Sequence, residues 1–165
     1  MRILGIDPGS VITGYGLIEQ QDKKSFYITS GCIRVGKKNF AERLSVIFED
    51  LSLLIAEYRP TVVAIEQVFV HKNVSSALKL GQARGAAIVA VARQGLVVAE
   101  YAPRQIKKAV VGYGGAEKIQ IQQMIQILLG LNGLPQADAA DALAVAVCHA
   151  HQIQWERADH KGMIV

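Results

Sequence analysis

Asp138 and Asp141 stand three residues apart in Gln136-Ala137-Asp138-Ala139-Ala140-Asp141-Ala142-Leu143-Ala144, so a helix there places both carboxylates on one face of an alanine-rich stretch. Like charges at this spacing repel, and a helix packed on both sides needs a cation or basic groups opposite them. For this pair alone a plainer account serves as well: Asp138 falls in the first turn, where an acid favours the helix dipole. Asp7 and Glu66 have no such excuse. Each closes a short apolar run, Asp7 after Arg2 to Ile6 and Glu66 after Val62-Val63-Ala64-Ile65. Open α/β sheets hold their ligands at such strand ends, although a solvated strand end explains either acid singly. Four acids from separated segments, each adjoining apolar sequence, together suit an oxygen-ligand site for magnesium, which takes one or two carboxylates per ion plus substrate phosphate. Two ions ~3.5–4 Å apart would activate a water and stabilise a leaving 3′ oxygen, which is in-line phosphodiester hydrolysis. Nucleophilic triads do not compete. His149, His151 and His160 cluster near the C-terminus without a nucleophile at motif spacing, and His71 stands alone, so all four read as surface or helix-end groups.

Elements must hold these acids. Arg2 to Ile6, the turn Asp7-Pro8-Gly9-Ser10 and Thr13 to Ile18 form the pattern of two hairpin-connected strands, with a third strand over Ser25 to Val35. Leu44, Ile47, Phe48, Leu51, Leu54 and Ile55 recur at helical spacing, and that helix stops before Arg59-Pro60. The two-sided apolar run Val62 to Ile65 is a strand covered on both faces. Val74 to Arg93 reads as a helix rich in Ala and Gly, followed by a strand at Leu96 to Glu100. Helices are expected over Pro103 to Val110, Glu117 to Leu129 and Gln136 to Ile153, separated by glycine-containing turns. Three leading strands, later alternation and a helical C-terminus predict a layered α/β domain with a mixed sheet.

Composition bounds the partners. The 165 residues, 51% of them hydrophobic, fill one core and one domain, 1–165. A net charge of +4 favours an anionic partner, yet only 19% of residues are charged, so the basic groups must be placed rather than spread along a polybasic tail. Cys32 and Cys148 are too few for a disulfide framework and lack zinc-ligand spacing, which makes them reduced structural residues. The N-terminus reaches Asp7 too early for a signal peptide, and the run from Gly85 to Ala92 is too short to span a bilayer, so a soluble cytoplasmic protein is expected.

Ile3-Leu4-Gly5-Ile6-Asp7-Pro8-Gly9-Ser10 with Thr13-Gly14-Tyr15-Gly16 resembles the opening strand and turn of the bacterial RuvC resolvases. Ala64-Ile65-Glu66-Gln67-Val68-Phe69 is similar to their second acidic segment, and Asn73 to Ala90 to their long following helix. Arg104-Gln105-Ile106-Lys107, Ala116-Glu117-Lys118 and Gln136 to Ala144 complete the pattern in order, so the resemblance covers Met1 to His151. It implies a ribonuclease H-like fold, a five-stranded mixed sheet flanked by helices on both faces. It implies a homodimeric endonuclease acting on a four-way DNA junction, with Asp7, Glu66, Asp138 and Asp141 holding two magnesium ions per subunit, for which manganese substitutes. Symmetric nicks in strands of like polarity, a thymine-rich cleavage sequence and cooperation with the RuvA-RuvB branch-migration complex belong to the same implication. The small-residue helix after Asn73 is the candidate dimer interface.

Further contacts follow. Phe69, just beyond Glu66, could stack on an unpaired base, or could anchor its loop. Lys107 and Lys118 match family positions near the scissile phosphate, whereas Lys72, Lys79, Arg84, Arg104 and Lys108 are expected to track the DNA backbone, if they are more than solvated surface. Gly112 to Gly115 would let backbone amides approach phosphate, or simply turn the chain between helices. The segment 152–165 matches no motif and is expected to fray. Three competing readings remain at this point: the Asp7-Pro8-Gly9 turn is also similar to the phosphate loop of actin-like ATPases and sugar kinases, although 165 residues supply only one of the two domains those enzymes close. A metal-independent junction-binding module and a nuclease for structured RNA are the others.

Overall fold

The computed structural model describes residues 1–68 and 73–162, with side chains through residue 155. Five strands, β1 (Arg2–Asp7), β2 (Ile12–Gln21), β3 (Lys24–Arg34), β4 (Val62–Glu66) and β5 (Val98–Tyr101), form one sheet in the order β3-β2-β1-β4-β5. β1 with β2 and β2 with β3 pair antiparallel, whereas β4 pairs parallel with β1 and β5 parallel with β4, giving the mixed sheet expected. Parallel neighbours need crossovers, and the helices supply them. Here α1 (Phe40–Tyr58) and α2 (Val74–Ala92) flank β4 in sequence, and α3 (Pro103–Val111), α4 (Lys118–Leu129) and α5 (Ala137–Gly162) follow β5.

Local chemistry sets most boundaries. Asn39 caps α1 by accepting from the Glu42 amide while Glu42 reaches back to the Asn39 amide, and Arg59 ends the helix in a left-handed conformation one residue before Pro60. Pro103 occupies the first turn of α3, where its missing N–H costs nothing. β5 begins two residues later than its apolar run suggests, because the Leu96 amide still bonds the Val91 carbonyl in closing α2. The last helix runs past Ile153, through the segment expected to fray, to Gly162. No glycine or proline interrupts Gln152 to Lys161, so nothing breaks the hydrogen-bond ladder before Gly162.

The sheet divides the core in two. Leu4, Ile6, Leu17, Val63 and Ile65 pack under α1 and α2. Ile3, Ile18, Ala64 and Tyr101 pack under α3, α4 and α5, where Leu143 and the neighbouring alanines of α5 are fully enclosed. Burying one such leucine or isoleucine contributes about 1.5–3 kcal/mol. Among the described residues, no helix is long and apolar enough to cross a membrane.

Candidate active site

Alternation along the strands aims two of the acids. In β1, Leu4 and Ile6 face α1 and α2, while Ile3 and Gly5 face α5, and Asp7 continues the second series. In β4, Val63 and Ile65 face α1 and α2, Ala64 faces the α5 side, and Glu66 follows Ala64. Because β1 and β4 are parallel neighbours with Ile6 opposite Ile65, Asp7 and Glu66 leave adjacent strand ends on one face. Their side chains share a hydrogen bond.

Glycines bring the other two acids in. A Cβ on Gly5 would overlap the Ala142 carbonyl oxygen, one on Gly14 the Asp138 carbonyl oxygen, and one on Gly16 the Leu143 side chain. The axis of α5 therefore lies closer to the sheet than any larger residue permits. Gly14 is the register partner of Asp7, so the turn bearing Asp138 rests beside Asp7, and Asp141 follows on the same helix face. Thr13 fixes the intervening turn: its buried hydroxyl donates to the Gly9 carbonyl at 3.0 Å and accepts from the Gly9 amide at 3.3 Å.

An open cleft of about 290 Å³ results, lined by Asp7, Glu66, Asp141, Lys107 and Lys118 with Pro103, Ile106, Ile121 and Ala144. Asp138 stands beside the cleft rather than lining it. Burial, then the charges of Glu66 and Asp141, push Asp7 from its ordinary 3.8 up to about 8, with smaller additions from its hydrogen bond to Glu66 and from Asp138. Burial also raises Glu66, against the hydrogen bond from Asp7 and the attraction of Lys107 and Lys118. Asp141 is raised by burial against the opposing pull of Lys118. The Lys118 ammonium lies 3.4 Å from an Asp141 carboxylate oxygen but is 74% exposed, so this ion pair contributes no more than ~1 kcal/mol. The acids are thus under-neutralised by protein cations alone. Among the described residues no three acids, histidines or cysteines already converge into a finished metal sphere. An all-oxygen set fits a hard cation that completes its sphere with water and phosphate.

The other expected contacts separate. Phe69 and Lys72 lie outside the described residues. Lys107 faces the cleft, whereas Lys108 lines a different groove, between α3 and α5, with Gln105 and His151. Lys79 and Arg104 are exposed and do not line the cleft. Arg84 is engaged within the protein, by Glu100 and by the Glu66 carbonyl. Gly112 caps α3 in a left-handed conformation, as a turn requires. His149 is buried rather than superficial, with its Nδ1 2.6 Å from the Tyr101 hydroxyl, and His151 Nδ1 lies 3.2 Å from the Ala109 carbonyl. Both cysteines are free, and burial pushes the Cys148 thiol up to about 11, consistent with a structural role. Sequence reasoning passed over the packing role of Gly5, Gly14 and Gly16; isolated glycines inside strands are the signal for close backbone approach.

Comparison with known proteins extends the geometry. The profile of the family described as crossover junction endodeoxyribonuclease RuvC matches residues 3–149. The chain is 64% identical to the crossover junction endodeoxyribonuclease RuvC of Marinobacter nauticus over 92% of this chain and 87% of that one. It is 60% identical to that of Psychromonas ingrahamii, over 92% and 88%. The structure of Thermus thermophilus RuvC in complex with Holliday junction substrate superposes with a TM-score of 0.88, at 31% identity over 94% of this chain and 96% of that one. The fold is accordingly the ribonuclease H-like arrangement expected.

Proposed function

The chain belongs to the RuvC family of crossover junction endodeoxyribonucleases, and from that membership we propose that it resolves four-way DNA junctions by magnesium-dependent, paired symmetric nicks in strands of like polarity. The observation that carries the mechanism is the convergence of Asp7, Glu66 and Asp141, with Asp138 alongside, at one sheet end facing Lys107 and Lys118. Membership sets the Asp7-Pro8-Gly9 turn in a nuclease rather than in a nucleotide-binding ATPase.

Asp7, Glu66, Asp138 and Asp141 would hold two magnesium ions, or manganese in their place. When bound, such ions supply an activated water and charge stabilisation at the leaving 3′ oxygen. The protein supplies the rest. Asp7, which holds its proton up to about 8 because burial and neighbouring carboxylates disfavour its charge, is the ligand whose repulsion from those neighbours a bound cation would relieve. Lys118 rests on Asp141 until phosphate arrives and then has a second anion to serve, while Lys107 offers its charge from α3. The hydrophobic wall of Ile106, Ile121 and Ala144 limits water around the reacting phosphate.

One RuvC-type domain per subunit, 1–165, acts in a homodimer. On α2, Val74 and Leu78 are 66% and 64% exposed, and a Cβ on Gly81 or Gly85 would meet nothing within 4 Å, which leaves room for a second helix. Two-fold symmetry suits two identical sites acting on a two-fold junction. Phe69 remains the candidate for base stacking, with Lys72, Lys79, Arg104 and Lys108 for backbone contacts. Cooperation with RuvA-RuvB, a thymine-rich cleavage site and a cytoplasmic setting in which both thiols stay reduced complete the reading.

The test is cleavage of a synthetic four-way junction with Mg²⁺, with EDTA and with Asp7→Asn, beside a linear duplex of matching sequence. Paired nicks confined to the wild-type magnesium reaction on the junction are expected. Tight junction binding without nicking in either magnesium or manganese would overturn the catalytic reading of the acids.

A further inference from the structure

Arg84 lies on α2 between the buried Ala83 and Ala87, with its side chain only 19% exposed. Its Nε donates to the Glu66 carbonyl oxygen at 3.2 Å, and its Nη2 donates to a Glu100 carboxylate oxygen at 2.5 Å. Glu66 is the last residue of β4, and Glu100 lies on β5, where it follows Ala99 and so faces α2. The guanidinium therefore grips the ends of two adjacent parallel strands from the α2 side. The Glu66 carboxylate leaves on the opposite side, toward α5, into the cleft. A side chain on this far face, with its donors committed to a carboxylate and a carbonyl, is poorly placed to follow a DNA phosphate.

We propose that Arg84 is a positioning residue for the reaction: anchored on Glu100, it fixes the main chain at Glu66 and so the direction in which that carboxylate enters the metal site. The physical case is geometric. A carboxylate at a strand's last residue lacks the ladder beyond it, and here the β4–β5 pairing ends at Glu66 with Tyr101, followed by one bond from the Gln67 amide to the Tyr101 carbonyl. Planar donors on a delocalised cation can satisfy a carbonyl and a carboxylate in one fixed geometry, which a lysine ammonium at the end of a flexible stem does not reproduce. Groups that orient a ligand carboxylate from behind typically change metal affinity or activity by 10–100-fold when removed. The proposal rests on Glu66 as a metal ligand, as set out above.

The experiment uses full-length Arg84→Gln beside wild type and Asp7→Asn, with three readouts: Mn²⁺ binding to the DNA-free protein by electron paramagnetic resonance, single-turnover cleavage at saturating junction, and junction affinity in EDTA across salt concentrations. Mn²⁺ affinity and cleavage are each expected to fall on the order of 10-fold or more, with junction affinity and its salt slope as in wild type. Weaker junction binding with a salt slope reduced by about one, and Mn²⁺ affinity unchanged, would make Arg84 a phosphate contact and overturn the proposal. No change in any readout overturns it as well. Glu100→Gln removes the anchor and leaves the cleft intact. It is expected to weaken Mn²⁺ binding in the same direction by a smaller factor, and it decides the matter if Arg84→Gln does not fold; unaltered Mn²⁺ binding in a folded Glu100→Gln then counts against the proposal. A wild-type protein that fails to cut the junction would sink the nuclease reading itself, whatever the Arg84 variants do to Mn²⁺ binding.

Discussion

Asp7 carries the largest electrostatic strain in the site, and its sign has a measurable consequence. An unfolded chain releases the Asp7 proton near 3.8, whereas the folded chain without metal keeps it up to about 8. Between those values the native state binds the extra proton, so the stability of metal-free protein falls as pH rises, by at most ~1.4 kcal/mol per pH unit, and levels off above about 8. Asp7→Asn has no proton to lose, so melting temperatures in EDTA should show the variant gaining on wild type from pH 5 to pH 8. Excess Mg²⁺ should recover the wild-type loss, because the cation takes the place of the proton. The same competition predicts cleavage that rises with pH toward 8 at low Mg²⁺, with a midpoint that moves to lower pH as Mg²⁺ increases. Parallel melting curves for the two proteins across this range would show that Asp7 does not hold its proton.

At the scale of elements, α5 must lie close enough to β1 and β2 to put its acids beside Asp7, and Gly14 sets that distance at the decisive turn. Gly14→Ala would place a methyl group on the Asp138 carbonyl, against backbone rather than a side chain that can swing away. A loss of about 1–3 kcal/mol in stability is expected, together with a loss of cleavage larger than the loss of folded protein. Gly133→Ala is the control, since a Cβ there meets nothing within 4 Å, its backbone is not left-handed, and it lies neither on α2 nor in the cleft lining. Denaturant unfolding and single-turnover cleavage check both, and a Gly14→Ala enzyme as active and stable as wild type would remove the close-packing account. How much of this was legible follows from the same elements. Apolar runs ending in acids located β1 and β4, and a proline located the end of α1, because each signal is local. The glycines of β1 and β2 gave no sign of what would approach them, since the approaching helix comes more than 120 residues later than Gly14 in the chain. The Arg84–Glu100 pair was illegible for the same reason: the two residues stand 16 apart, and only the folded sheet determines where the strand bearing Glu100 lies. Helix α5 extends beyond the expected Ile153 to Gly162, because its charged, mixed end carries no helix breaker before that glycine.

For the whole molecule, one cleft per subunit cannot cut two strands of a junction together, so the proposed pairing of nicks depends on a face that joins two copies. The exposed apolar residues Val74, Leu78 and Val89 lie along α2, whose inner face is held by Ala83, Ala87, Ala90 and Val91. Leu78→Asp places a charge in the middle of that outer face. Because Leu78 is 64% exposed, the subunit itself should lose only about 0.5 kcal/mol, the difference in helix propensity. Association should suffer far more, since an aspartate buried between two helices lacks a partner and meets its own symmetry mate. Sedimentation is expected to show monomers at concentrations where wild type is dimeric, with the far-ultraviolet circular dichroism unchanged. On a supercoiled plasmid with an extruded cruciform, wild type should yield linear DNA from paired cuts, and Leu78→Asp should yield mainly nicked circles or no product. A variant that still sediments as a dimer would move the interface off α2, and a monomer that still linearises the plasmid in one binding event would break the link between dimerisation and paired cleavage.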